Sequence, residues 1–294
     1  MNIIKGLDNG YSYTKDNEYR IFKSAYSRVN KTLSDDNKII INGESIYFGT
    51  GTMNGDVDKV NSTVNEVCTL ANIAQTGSHD YYLVLGLPFN QCLGNEEKFK
   101  EKIMEYNNRE VIYKDKKVNF TIRDVTVFAQ GLGAVFGLGL QDGEYITFDI
   151  GSYTMNVALV EIINDIPKII QYNTWYDGIL TIYDDIISEV NKRYELTLSN
   201  DYAEKIISRG LVVDGVEQDT RFVTLMMKDY LENVFSRFKT NYPTYSITPI
   251  LASGGGSILL WNVLEKAFCN AILLPNSQFA NAQGYYDFGL RKYM

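Results

Sequence analysis

Asp8-Asn9-Gly10 and Asp149-Ile150-Gly151 sit in two segments of one design. In each, a short apolar run ends in Asp-x-Gly and a polar turn, and a second β-rich run follows. The pattern predicts two hairpins, each with a carboxylate at its tip beside flexible backbone. Glycine lets such a turn take positive φ and lets a phosphate approach its N–H groups. A carboxylate does not bind phosphate directly, so the task that fits it is to hold a hydrated Mg²⁺. Two such tips facing each other would clamp a nucleoside triphosphate.

Other residues could contribute to the same chemistry. Lys15 follows Asp8 by seven positions. Strand alternation alone puts the two on opposite faces, and a turn that resets the phase would bring the Lys15 ammonium back towards a phosphate. Ser152 and Thr154 can donate to phosphate oxygens. Gln130 offers a neutral amide that could orient an attacking water. Gly254-Gly255-Gly256 lies between an apolar run and an apparent helix, where backbone without Cβ lets a nucleotide come close to a helix N-terminus. Taken singly, each has a blander reading: Asp-Asn-Gly as a turn signal, Gln130 as a cap or solvated side chain, the glycines as a linker.

The elements that must hold these residues alternate between β and α. Strands are expected at 2–7, 11–15, 20–25, 38–48, 80–87, 110–113, 117–121 and 124–128, then at 145–150, 154–162, 166–172, 249–252 and 271–274. Helices are expected at 61–75, 96–106, 178–194, 200–209, 221–238, 257–268 and 279–288. Residues 28–37 and 49–59 read as polar loops. The glycines of 129–137 make a poor helix and suit close packing or a hinge. The order amounts to a duplicated α/β plan with a cleft between halves.

Bulk properties narrow the functional classes. A chain of 294 residues has room for two cores, and 45% apolar with 22% charged residues is ordinary for a folded protein. The net charge of −8 argues against tight nonspecific DNA binding. Three scattered cysteines and one histidine assemble neither a zinc site nor a Ser-His-Asp triad; the cysteines read as reduced thiols of a cytoplasmic protein. No signal-peptide pattern and no apolar stretch of about 18 residues is visible. The 22 tyrosines read as half-buried strand residues.

The order of these motifs along the chain resembles the nucleotide-site series of the actin, Hsp70 and sugar-kinase superfamily. More narrowly it is similar to bacterial actin-like proteins of the ParM/AlfA plasmid-segregation group. The narrower resemblance rests on Val84-Leu85-Gly86-Leu87-Pro88, Phe128-Ala129-Gln130-Gly131-Leu132-Gly133-Ala134, Asp177-Gly178 with the apolar run after it, and Ala280-Asn281-Ala282-Gln283-Gly284-Tyr285. The resemblance implies an actin-like (ribonuclease H-like) fold, with one domain from 1–140 plus 279–294 and the other from 141–278. It implies that Asp8 and Asp149 hold hydrated Mg²⁺ and that Gln130 positions the hydrolytic water. Asn9, Gly10, Tyr11, Ser12 and Lys15 would line the β- and γ-phosphates, with Gly151, Ser152, Tyr153 and Thr154 opposite. Asp177 and Gly178 would belong to the same nucleotide site. Ser253 and Gly254, Gly255 and Gly256 would pass under the α-phosphate and ribose, and Glu204 and Lys205 would wall the base.

Two departures from that pattern stand out. Many relatives carry Asp-Ile-Gly-Gly-Gly-Thr-Thr-Asp where this chain has Ser152, Tyr153 and Asn156, and Tyr153 is expected to crowd a place that normally needs bare backbone. The Leu196–Ser246 segment is lean, so the outer subdomain of the second half is expected to be reduced. The implied function is an ATPase, or GTPase, that polymerises head to tail into a polar helical filament and moves plasmid or phage DNA through a DNA-bound adaptor protein, without a membrane. A small-molecule kinase or an Hsp70- or pilus-type ATPase on the same fold is the alternative. No acceptor-binding carboxylate beyond Asp8 stands out for a kinase.

Overall fold

The computed structural model describes residues 2–31, 34–53 and 58–294. Residues 32–33 and 54–57, within the expected loops 28–37 and 49–59, lie outside the described residues.

One sheet is built twice. In the first, the strands run in the order Thr121–Ala129, Asp80–Leu87, Asn2–Asn9, Tyr13–Asp16, Ile21–Lys23. Asn2–Asn9 pairs antiparallel with Tyr13–Asp16 and parallel with Asp80–Leu87. The second has the order Ala271–Leu273, Ile250–Ser253, Gly143–Ile150, Met155–Ile163, Ile166–Trp175, with the same senses of pairing about its central Gly143–Ile150. In both central strands the last residues before the tip are buried, as befits strands covered on both faces.

The duplication extends to the register. Asp8 pairs with Lys15 across the first hairpin, and Asp149 pairs with Asn156 across the second. Gly10 N donates to Tyr13 O at 3.0 Å, and Gly151 N donates to Thr154 O at 2.9 Å. Neither glycine has positive φ. Each is needed because a Cβ there would press on the carbonyl three residues ahead, so close approach, and not left-handed backbone, explains them. The turn also resets the strand phase, which puts Lys15 beside Asp8.

The expected strand 38–48 is a hairpin, Lys38–Ile41 with Glu44–Phe48, broken at Asn42-Gly43 where both residues take positive φ. It belongs to a six-stranded sheet inserted in the first half. The expected strand 124–128 begins earlier, as Thr121–Ala129 with a bulge between Ile122 and Asp124. Helix Thr63–Thr76 starts at Ser62, whose hydroxyl accepts from Asn65 N. The last helix, Ala280–Tyr293, returns to the first sheet and crosses the turn at Gly133–Val135. A Cβ on Gly284 would overlap the Gly133 carbonyl, so the small residues of 129–137 serve close packing in a 3₁₀ turn. The Leu196–Ser246 segment contributes Ala203–Arg209, Arg221–Asn241 and a two-stranded hairpin, and its Ile206 and Val223 share a core with Ile182, Ile186 and Val190 of helix Ile179–Tyr194. Among the described residues no helix is long and apolar enough to cross a membrane.

Candidate functional site

Both hairpin tips open into one cavity of about 760 Å³ between the two sheets. Asp8, Gly10, Tyr11, Ser12 and Lys15 line it from the first hairpin, and Asp149, Gly151, Ser152, Tyr153 and Thr154 from the second. Gln130 reaches it from the turn after Thr121–Ala129, and Gly254, Gly255 and Gly256 from the start of helix Gly255–Ala267. Glu204 lines the far end, with Asn200, Asp201, Tyr183 and Ile258.

Asp8 and Asp149 are both buried. Lys15 Nζ stands 3.2 Å from Asp8 Oδ2, and Gln130 Nε2 donates to Asp8 Oδ1 at 3.2 Å. Burial pushes the Asp149 carboxyl above its ordinary range, the charge of Asp8 adds to this, and Lys15 opposes it. Two buried carboxylates that repel each other across a cavity suit a divalent cation, whose charge removes the repulsion. Ser12 Oγ is buried in the same wall without a hydrogen bond, a donor open to a ligand oxygen. The donor set is sparse: among the described residues no group of three or more His, Cys, Asp or Glu could hold a metal alone. It fits a cation that keeps most of its waters, as Mg²⁺ does.

The second tip is held from behind. Gly178 N donates to Tyr153 O, Ile179 N to Gly151 O and Leu180 N to Ser152 O. A Cβ on Gly178 would overlap the Ser152 carbonyl. Gly254 has φ +87 and passes so near Ile150 and Asp149 that a side chain would collide with both. Tyr153 lines the cavity and is 41% exposed as a residue, and its ring leans on Tyr11 at 5.1 Å and on Tyr176 at 5.9 Å.

Five of the anticipated residues stand outside the cavity lining. Asp177 faces a second cavity, where it pairs with Arg237, and Tyr230 donates to its carbonyl at 2.6 Å. Gly178 lies against the Ser152–Tyr153 backbone, so it supports the tip and leaves Asp177 on the side away from the cleft. Lys205 is exposed and lies over the Tyr202 ring, because Ala203 and Ile206 define the buried face of its helix. Ser253 is fully buried beside Asp149 in the neighbouring strand. Asn9 turns inward, with its amide donating to Asn65 and to Thr69.

Lys59 and Asn281, to which sequence reasoning assigns no role, and Asn156, which it names only as a departure, stand at the site. Lys59, 1% exposed, donates to Asn9 O at 2.7 Å and to Gln130 Oε1 at 3.4 Å, and its ammonium lies 4.3 Å from the Tyr11 ring centroid. Burial pushes it down to about 8, with Asp8 pulling the other way. Asn281 accepts from Gly131 N and Ala134 N and donates to Asp149 Oδ2 at 3.0 Å. Asn156 takes the place that Lys15 has in the first hairpin. A lone lysine in a polar loop carries no local signal of burial. Asn281 lies within Ala280-Asn281-Ala282-Gln283-Gly284-Tyr285, and nothing local reveals its partners.

Comparison with known proteins follows this geometry. Residues 6–133 match the family model of the actin-like proteins' N-terminal domain. The native structure of Ta0583, an archaeal actin homolog, superposes with a TM-score of 0.84 at 21% identity, covering 98% of this chain and 99% of that one. Its complex with ADP gives 0.78 at 18% identity over the same shares. A 15-stranded ParM filament from Clostridium botulinum gives 0.81 at 20% identity, covering 99% of this chain and 100% of that one. No curated protein matches the sequence. The chain has the actin-like fold over nearly its whole length.

Proposed function

We propose that this actin-like chain binds ATP with Mg²⁺ between its two sheets, polymerises head to tail, and hydrolyses the nucleotide in the filament. The observation that carries the reading is the convergence of Asp8, Asp149 and Gln130 on one cavity closed by two equivalent hairpins. Asp8 and Asp149 would hold the hydrated cation, which neutralises phosphate charge when bound. Lys15 and the Ser12 hydroxyl would face phosphate oxygens. Gln130 would orient the water that attacks the terminal phosphorus, releasing ADP and phosphate. The base and ribose would lie towards Glu204, Tyr183 and Ile258. This wall does not separate ATP from GTP.

A head-to-tail contact that does not close gives an open helix. Nucleotide in the cleft fixes the angle between the sheets, so whichever form fits the filament is favoured by the nucleotide that stabilises it. The cargo in this reading is plasmid or phage DNA, held through a DNA-bound adaptor because the chain carries −8. The solved relatives named above support the reading, one as a filament and one as an ADP complex.

Sedimentation with phosphate-release measurement tests it. ATP or a nonhydrolysable analogue should lower the critical concentration and ADP should raise it. A chain that stays monomeric at tens of micromolar with every nucleotide contradicts the filament. A phosphorylated small-molecule product would point to a kinase.

A further inference from the structure

Tyr285 is fully buried, and its hydroxyl has no hydrogen-bond partner among the described residues. Glycines on two other elements make its place. A Cβ on Gly86, in strand Asp80–Leu87, would come within 2.1 Å of the Tyr285 hydroxyl, and one on Gly133 within 2.3 Å of its ring. The ring lies along Phe128 at 6.0 Å, and Phe128 packs in turn against Phe136 and Phe288. A ring wedged in this way cannot carry its hydroxyl to a distant partner. An unpartnered hydroxyl in the interior costs free energy, so a structure that retains one calls for an explanation.

Gln130 stands beside it. The same imagined Cβ on Gly86 would come within 2.8 Å of Gln130 Cγ, so the hydroxyl and the Gln130 side chain border one small space. Gln130 lines the cleft, and Tyr285 lies behind that lining. Burial raises the hydroxyl well above its ordinary range, and the charges of Asp8 and Asp149 add to this, so it remains a donor. Gln130 gives one N–H to Asp8 Oδ1 and accepts one hydrogen bond from Lys59 at Oε1. A side-chain amide has two N–H groups and two lone pairs on its oxygen, so Oε1 keeps one lone pair for a second donor.

Resting on the nucleotide reading above, we propose that Tyr285 is a positioning residue for Gln130: when the cation and nucleotide draw on Asp8, the Gln130 side chain turns from Asp8 and the Tyr285 hydroxyl donates to its Oε1. The amide is then held from behind, by Lys59 and by Tyr285, in the attitude from which it meets the attacking water. The hydroxyl is unmet while Gln130 rests on Asp8, and meeting it favours the turned arrangement.

The test uses the full chain with Tyr285→Phe, Gln130→Ala and the double variant, measuring the urea midpoint without nucleotide and kcat for phosphate release from ATP. Phe keeps the wedged ring and removes only the hydroxyl. Tyr285→Phe should unfold at a urea concentration no lower than wild type, since the oxygen it removes has no partner. Its kcat should fall about 3- to 10-fold, the worth of one neutral hydrogen bond. Added to Gln130→Ala it should lower kcat no further, because the hydroxyl acts through that amide. A wild-type kcat in Tyr285→Phe overturns the proposal. The same fold loss in both backgrounds does so too, as it would separate Tyr285 from Gln130. A lowered urea midpoint, or failure to fold, would show a hydroxyl already bonded and a structural role. Wild-type protein that hydrolyses no nucleotide sinks the function proposed above and this inference with it; wild-type hydrolysis unaffected by Tyr285→Phe sinks this inference alone.

Discussion

Asn281 ties the last helix to the second hairpin tip: its amide donates to Asp149 Oδ2 at 3.0 Å while its carbonyl oxygen accepts from Gly131 N and Ala134 N. A single buried side chain thereby joins the Gln130 turn to the Asp149 carboxylate. Asn281→Ala should cost at least about 2 kcal/mol, since it leaves two buried N–H groups and one carboxylate oxygen unsatisfied. Urea unfolding at neutral pH measures it. A midpoint unchanged from wild type would show that water replaces all three bonds.

Asp149→Ala should abolish assembly that depends on Mg²⁺ and nucleotide, because it deletes half of the anchor for a hydrated cation. The variant should remain folded, since burial and the nearby Asp8 already disfavour this carboxylate's charge. Light scattering on ATP addition is the readout. Scattering equal to wild type removes Asp149 from the site.

Gln130→Ala should slow phosphate release about 10-fold or more while nucleotide affinity stays near wild type, as a group that positions water acts on the transition state more than on ground-state binding. Filaments formed with ATP should persist longer. Hydrolysis at the wild-type rate would leave Gln130 with the structural role of bracing Asp8.

Tyr153→Gly replaces the ring that bridges Tyr11 and Tyr176. The ring is partly exposed, so the loss of stability should be small, about 1 kcal/mol. Nucleotide dissociation, followed with a fluorescent analogue, should quicken as the two tips lose their contact at the mouth. Dissociation no faster than wild type would count against a bridging role.

Asp16 lies fully buried with Lys5 at 2.7 Å. Burial alone would raise its carboxyl, yet the hydrogen bond and charge of Lys5, with Arg20 N–H and Asn72, hold it below the ordinary carboxylate range. A folded-state value below the unfolded one gives a contribution complete above the unfolded value and lost as pH falls through the folded one. Asp16→Asn should cost up to about 3–5 kcal/mol at neutral pH, because buried Lys5 then keeps only the partly exposed Glu18 carboxylate at 3.2 Å. The gap to wild type should narrow when denaturation is repeated in acid. A gap independent of pH would contradict this ion pair.

The duplicated plan was legible because each Asp-x-Gly tip ends a buried strand, a pattern carried by neighbouring residues alone. Strand Asp80–Leu87 was read to its ends for the same reason. Other features depend on contacts distant in sequence. Lys15 lies beside Asp8 only because the turn resets the phase, and alternation predicted the opposite face. Lys59 became a core residue when the first hairpin and the Gln130 turn closed around it, and its own loop looked merely polar. Asp177 was placed by the helix that it precedes, whereas Arg237, on a helix far along the chain, and the packing of Gly178 decide where it faces. The glycines of both tips were rightly singled out, but crowding by the carbonyl three residues on, not positive φ, accounts for them.

The chain passes between the two sheets twice, after Gly133–Val135 and again before Ala280–Tyr293, and these passages touch where Gly284 meets Gly133. Elsewhere along the cleft, Lys23 at the end of strand Ile21–Lys23 meets Asp201 in the Asn200–Tyr202 turn, an exposed pair at 3.4 Å of little energetic worth. Such a molecule opens like a book bound along its spine. The glycine seam is the binding, with no room to slide, and the Lys23–Asp201 margin is where the covers part. A ligand could then enter or leave at the margin while the pages nearest the spine, with Asn281 and the two carboxylates, stay in register.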